Sequence, residues 1–314
     1  MPRTLGLGVP ALLVLIFATA VTVMIIREQR RPPEFAGVFD AQPLQGLGVA
    51  QQHDGTIAES RDDGAAGLGQ TPSARELAPP APVAPPNGAN RSILDLLPSM
   101  PSGGGSEANA KSLRDLEEAI QVQDNQLKIK PAAAQTTYSA GATYLVFLRA
   151  LQSLLPSSTL SGSLAEALTV KGQPDGAGVW GRWNANGPGT ACLFDELGLG
   201  RNFTSLDDAQ PGDFMKVFFA DAVGRREHSL STIYLGREQQ NGVETVRVWS
   251  SIKPVGYGEA VIPRARISFA IFSRLENPAN IAQAPTLTSR NKYLASLLTT
   301  DSSKEETMTQ AGVR

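Results

Sequence analysis

The chain has 314 residues, with 28 Lys and Arg against 30 Asp and Glu, for a formal net charge of −2. So balanced a charge gives no electrostatic footing for nucleic acid or for an anionic membrane surface. The single cysteine excludes an internal disulfide and any thiolate-rich zinc or iron–sulfur site, and two histidines leave little for a metal centre, so neither cofactor nor metal is expected.

Composition divides the chain into four parts. Residues 1–31 read as a membrane anchor with its flanks. Nothing between Leu5 and Ile26 is charged, and as a helix that stretch spans about 33 Å, against about 30 Å of hydrocarbon. A cleaved signal peptide is the alternative, because Ala18-Thr19-Ala20 has the small-x-small pattern, but apolar sequence continues past it through Val21, Val23, Met24, Ile25 and Ile26. Arg27, Arg30 and Arg31 follow the segment and only Arg3 precedes it, which by the positive-inside rule keeps the bulk of the chain in the cytoplasm. Residues 32–109 read as a disordered Pro/Gly/Ala-rich linker. It includes a polyproline-like run from Leu77 to Pro86, a short apolar island from Arg91 to Leu97 that also reads as a docking helix, and the glycines of Ser102 to Ser106. Residues 110–276 suffice for one domain with a core, and residues 277–314, polar and small with the run Lys304-Glu305-Glu306, read as a flexible C-terminal tail.

Within the domain the period changes from helical to extended. Ser112 with Asp115 opens an amphipathic stretch through Leu113, Leu116 and Ile120. Ala140 to Leu155 has Tyr144, Phe147, Leu148, Leu151, Leu154 and Leu155 at 3–4 spacing, and a short helix from Thr190 to Leu197 stops at Gly198. Four β-branched or aromatic runs follow: Asp213 to Ala220, Leu230 to Gly236, Val243 to Ser250 and Arg266 to Ser273, with a turn at Asn241-Gly242. Helices followed by an antiparallel meander predict an α+β fold.

His53 falls in the linker, so His228 is the one imidazole of the folded part. It either caps a turn before a strand or serves as a general base, and the second role requires a nucleophile and an orienting partner. Cys192, near the start of the Thr190 helix, reads either as a small buried residue or as that nucleophile. Asp213 is expected to cap its turn, and Glu227, next to His228 on a strand, to point to the opposite face. Gly256-Tyr257-Gly258 reads as a hairpin connection, and Arg264 and Arg266 as solvated flanks.

Three segments, in order, carry a resemblance. Tyr138-Ser139-Ala140-Gly141-Ala142-Thr143-Tyr144-Leu145-Val146-Phe147 resembles the nucleophile helix of the NlpC-type cell-wall peptidases, except that Ser139-Ala140-Gly141 stands for Cys-Ser-Gly. Ala209-Gln210-Pro211-Gly212-Asp213-Phe214 with Val217-Phe218-Phe219 resembles their turn and strand, and His228 to Gly236 their histidine strand. The resemblance covers roughly Tyr138 to Ser251, with a longer insertion around Val179 to Asn184. It implies a papain-like α+β domain with N-terminal helices packed on an antiparallel sheet, after a transmembrane helix and a disordered linker. It also implies amide hydrolysis on cell-wall peptides, with Ser139 in the nucleophile position, His228 as base and acid, and Ser250 or Ser251 as orienter. Cys192 is the alternative nucleophile, and Tyr138, Trp180 and Trp183 would line a groove for peptide or glycan.

A serine at 139 changes the chemistry, because a hydroxyl does not ionise near neutrality and no thiolate–imidazolium pair preforms. Two functions are therefore carried forward: a membrane-anchored peptidase or amidase, and an inactive papain-like domain that binds wall peptides or proteins. The family's substrate sets the domain outside the cytoplasmic membrane of a bacterium on a single-pass anchor, against the charge count. A wall peptide or glycopeptide, the membrane, and other envelope proteins reached through the linker are the expected partners, with no nucleic acid.

Overall fold

The computed structural model describes residues 88–172, 174–287 and 289–313. The expected anchor, the linker as far as residue 87, and His53 lie outside the described residues. Among the described residues no helix is long and apolar enough to cross a membrane.

The fold is α+β. It opens with α1 (Gly88–Leu96), the two-residue strand β1 (Gly103–Gly104) and α2 (Ala110–Ala119). The cap of α2 is Asn109, not the Ser112 signal of the sequence: Asn109 Oδ1 accepts from the N–H groups of Lys111 and Ser112 at 2.9 Å, and Ser112 Oγ accepts from Asn109 N–H at 3.0 Å. A hairpin follows, β2 (Ile120–Gln123) and β3 (Gln126–Ile129), around Asp124 and Asn125, both at positive φ (51° and 60°) as a two-residue turn of this hand requires.

The central helix α3 (Ser139–Leu154) is buried on nearly every side, as a helix apolar all round must be. It stops before Pro156, whose ring disfavours helical backbone at the preceding residue. Three short helices come next: α4 (Gly162–Ala167), α5 (Gly178–Trp183) and α6 (Gly189–Leu197), the last closed by Gly198 at φ +60°.

The strands are β4 (Gly200–Phe203), β5 (Phe214–Phe218), β6 (Val223–Gly224), β7 (Ser229–Gln240), β8 (Val243–Ile252), β9 (Gly256–Pro263) and β10 (Phe269–Leu275). Seven of the strands form one antiparallel sheet in the order β1-β9-β8-β7-β5-β10-β4. Gly256-Tyr257-Gly258 is thus part of β9 rather than a connection. The sheet is buried on both faces. Phe214, Ile233, Trp249 and Tyr257 join the α3 core, while Met215, Val217, Leu230, Tyr234, Val248 and Phe272 form a second core on the opposite face.

Both ends of the expected domain are corrected. Residues 88–109 belong to the fold. Ile93 of α1 is fully buried, and β1 pairs Gly103 with Tyr257 and Gly104 with Gly256. Gly104, at φ +82°, lies so close to the carbonyl of Gln135 that a Cβ would stand 2.0 Å from its oxygen. A glycine run that reads as linker is here a close backbone approach.

The tail is folded as well. A 3-10 segment (Pro278–Thr286) leads to α7 (Lys292–Ser296), β11 (Asp301–Ser302) paired with β6, and α8 (Lys304–Gln310). Leu294, Leu297 and Ala311 close a third core with Cys192, Phe218 and Phe269. Ser303 caps α8 through Glu306 N–H at 3.1 Å, so Glu305 and Glu306 sit at the positive end of a helix.

Candidate functional site

Ser139 is the first residue of α3, preceded by Tyr138 in extended backbone. Its side chain is 3% exposed. The hydroxyl accepts a long hydrogen bond, 3.4 Å, from Ser231 N–H of β7. A small cleft opens at this point, with Tyr138, Asn184 and Asn186 on one side and Lys216, Glu227 and Ser229 on the other.

Strand parity decides what faces Ser139. β5 and β7 pair Lys216 with Ser231 and Phe218 with Ser229. Ile233, of the same parity as Ser229 and Ser231, belongs to the α3 core. Leu230 and Tyr234, of the other parity, belong to the opposite core. His228 shares the parity of Leu230. Its carbonyl accepts from Phe219 N–H at 2.9 Å, and its side chain is exposed outside the cleft. The structure does not bring Ser139 and His228 together.

Glu227 occupies the face on which a base would be needed. It is 5% exposed. Its Oε2 accepts from Gly187 N–H at 2.5 Å and from Gly224 N–H at 3.1 Å. Its Oε1 accepts from Ser229 Oγ and pairs with Lys216 Nζ at 3.1 Å. This carboxylate ties together the loop before α6, the β6 turn and β5. Glu227 and His228 are not strand neighbours, since both precede β7, and of the two Glu227 is buried and His228 exposed.

The serines at the expected orienter position hold backbone instead of an imidazole. Ser250 Oγ donates to the Ser231 carbonyl at 2.6 Å, and Ser251 Oγ donates to the Thr137 carbonyl at 3.0 Å. Together they fix β7 and the approach to α3.

Cys192 on α6 is 1% exposed, and its Sγ donates to the Gln310 carbonyl at 3.3 Å. Burial, with the carboxylates of Glu196 and Asp195 nearby, pushes its thiol up to about 12. That is the wrong direction for a nucleophile. A thiol reagent at pH 8 is expected to leave the folded protein unlabelled and to react with one equivalent after unfolding; rapid native labelling would contradict this burial. The neutral thiol's contribution to stability is complete below about pH 8.5 and is lost as the pH rises through the folded value.

Trp180 and Trp183 are core residues, not groove walls, each 2% exposed. Trp183 Nε1 donates to the Ala140 carbonyl at 3.1 Å, and both rings pack on Tyr144. Tyr138 does line the cleft, and burial raises its phenol well above the ordinary value.

Asp213 caps its turn as expected, accepting from Gln210 N–H at 2.7 Å. It also holds Arg274 of β10 through two bonds, Nε to Oδ1 at 2.8 Å and Nη2 to Oδ2 at 2.7 Å, and accepts from Asn90 Nδ2 at 2.8 Å. Gly212 in the same turn, at φ +96°, lies against Asn90, where a Cβ would come within 2.6 Å of the backbone oxygen. The resembling turn thus fastens α1 to the sheet. Arg264 turns back on the Ile267 carbonyl at 3.0 Å.

Lys216 and the buried role of Glu227 were not found from sequence. Their signal was the parity of Lys216, Ser229 and Ser231 with Phe214 and Ile233. Among the described residues no three His, Cys, Asp or Glu side chains gather to hold a metal ion. Compared with protein-family models, with curated proteins and with solved structures, the chain matches none.

Proposed function

We propose that the chain is a tethered, non-hydrolytic binding or scaffold module: a papain-like domain that keeps the cleft at the N-terminus of its central helix and has no imidazole there. The observation that carries this reading is the lining beside Ser139, with Ser229 and Ser231 of β7 and Glu227 of the turn before it in place of an imidazole. The Glu227 carboxylate is taken up by the Gly187 and Gly224 N–H groups, Ser229 Oγ and Lys216, and without a free base a serine hydroxyl does not attack an amide at neutral pH. A lysine also lines the cleft, but Lys216 Nζ pairs with Glu227 at 3.1 Å and makes no serine–lysine pair with Ser139. The resemblance of Tyr138–Phe147, Ala209–Phe219 and His228–Gly236 to the wall peptidases supports wall peptides as the ligand class. It also supports a membrane-anchored placement on the outer side of the bacterial cytoplasmic membrane, with Leu5–Ile26 as anchor.

The test is an amide-hydrolysis assay of the full chain on cell-wall stem peptides, beside a binding measurement with the same peptides. Wild type, Ser139→Ala and Ser139→Cys are all expected to show background hydrolysis. Peptide binding is expected in wild type and is expected to weaken on Tyr138→Ala. Hydrolysis by wild type that Ser139→Ala abolishes would overturn the reading.

A further inference from the structure

A groove of about 310 Å³ lies away from the Ser139 cleft, between β3 and the C-terminal half of α3, and is closed by the loop through Pro156 and Leu160. That volume is at the small end of ligand sites, which begin near about 300 Å³. Arg149 stands ten residues along α3 from Ser139, about 15 Å by helix rise, so nothing argued about the cleft bears on it.

The charges in this groove are one-sided. Lys128, Lys130 and Arg149 line it, and no carboxylate does. In a chain of net charge −2 this is a local excess. Several cations elsewhere are paired, as Lys111 with Asp115, Lys171 with Glu166, Arg182 with Glu196 and Arg247 with Glu259. Among the described residues Arg149 has neither ion pair nor hydrogen bond, and its Nε is buried. A buried guanidinium N–H without an acceptor costs desolvation that nothing within the protein returns.

The wall opposite is backbone. β3 pairs with β2 along one edge, and its other edge is bridged at Gln126 to Ser161. On its other edge Leu127 N–H donates to the Leu160 carbonyl at 3.0 Å, and the Leu127 carbonyl accepts from Gln152 Nε2 at 3.1 Å. Two residues on, Ile129 presents its amide to the same side, along the groove. Beyond these bonds a short extended segment can meet the Ile129 amide, with a side-chain carboxylate on the planar fork of Arg149 and Lys128 and Lys130 at the rim. We propose that this groove binds an acidic peptide segment, anchored by Arg149 and supported by Lys128 and Lys130.

The experiment is fluorescence anisotropy of the full chain in detergent with a labelled, end-blocked tetraglutamate peptide, its tetraglutamine counterpart, and inorganic phosphate as a separate ligand. The tetraglutamate peptide is expected to bind, more weakly as salt rises, and the tetraglutamine peptide at least about tenfold more weakly. Arg149→Gln is expected to lose about tenfold or more in affinity. The exposed pair Lys128→Gln with Lys130→Gln, which leaves the core untouched, is expected to weaken binding and flatten its salt dependence. Equal binding of the two peptides, or an affinity that neither set of substitutions changes, overturns the proposal. So does Arg149-dependent binding of phosphate without binding of the acidic peptide.

Discussion

Arg274→Met is expected to destabilise the fold by about 3–5 kcal/mol, because it leaves a buried carboxylate without its counter-charge. Asp213 is wholly buried and the Arg274 side chain 5% exposed, so water cannot replace the lost guanidinium. Arg274 also donates to the Asp208 carbonyl at 2.6 Å, which ties the turn to β10. The loss would show in urea denaturation of the full chain as a lower midpoint at unchanged slope. Replacing both partners, Asp213→Leu with Arg274→Met, is expected to recover part of it, since the buried charge is then gone. A single substitution costing less than about 1 kcal/mol, the range of exposed ion pairs, would mean that this pair is not buried.

Glu227→Ala is expected to have a comparable effect for a related reason. It leaves the Lys216 ammonium, whose side chain is 16% exposed, without its carboxylate, and removes the acceptor of Gly187 and Gly224 N–H. A charge and two amides lose their partners in one step, and a loss of about 3 kcal/mol or more follows. Glu227→Gln keeps an acceptor and is expected to lose less. Hydrogen exchange should report the change locally, with Gly187 and Gly224 amides losing protection first. Unchanged protection in Glu227→Ala would contradict the role given to this carboxylate.

What the sequence reveals of this fold follows from where its patterns are local. The apolar 3–4 spacing of α3 and the β-branched runs of β5, β7, β8 and β10 are legible because each element carries its own period. The glycines of residues 103–105 are not legible, because β1 exists only where β9 supplies the partner strand and Gln135 the close approach. The C-terminal segment is missed for a similar reason: its anchors, Leu294, Leu297 and Ala311, lie in short elements that are held only by the core they close with Cys192, Phe218 and Phe269. In the candidate site, the helix start at Ser139 and the turn at Asp213 are found, and the face of His228 is not. Both faces of β7 are buried, so Ser229-Leu230-Ser231-Thr232-Ile233 carries no clear polar side. Only pairing with β5 sets which parity meets α3.

The central claim is that the residue at the tip of α3 has no imidazole partner, and the acidity of a thiol placed there tests it most directly. Ser139→Cys, in a chain also carrying Cys192→Ser, is to be alkylated over a range of pH. With no imidazolium beside it, the introduced thiol is expected to react slowly below pH 7, at a rate that His228→Ala leaves unchanged. Fast alkylation near pH 5 that His228→Ala abolishes would reveal a thiolate–imidazolium pair and contradict the account.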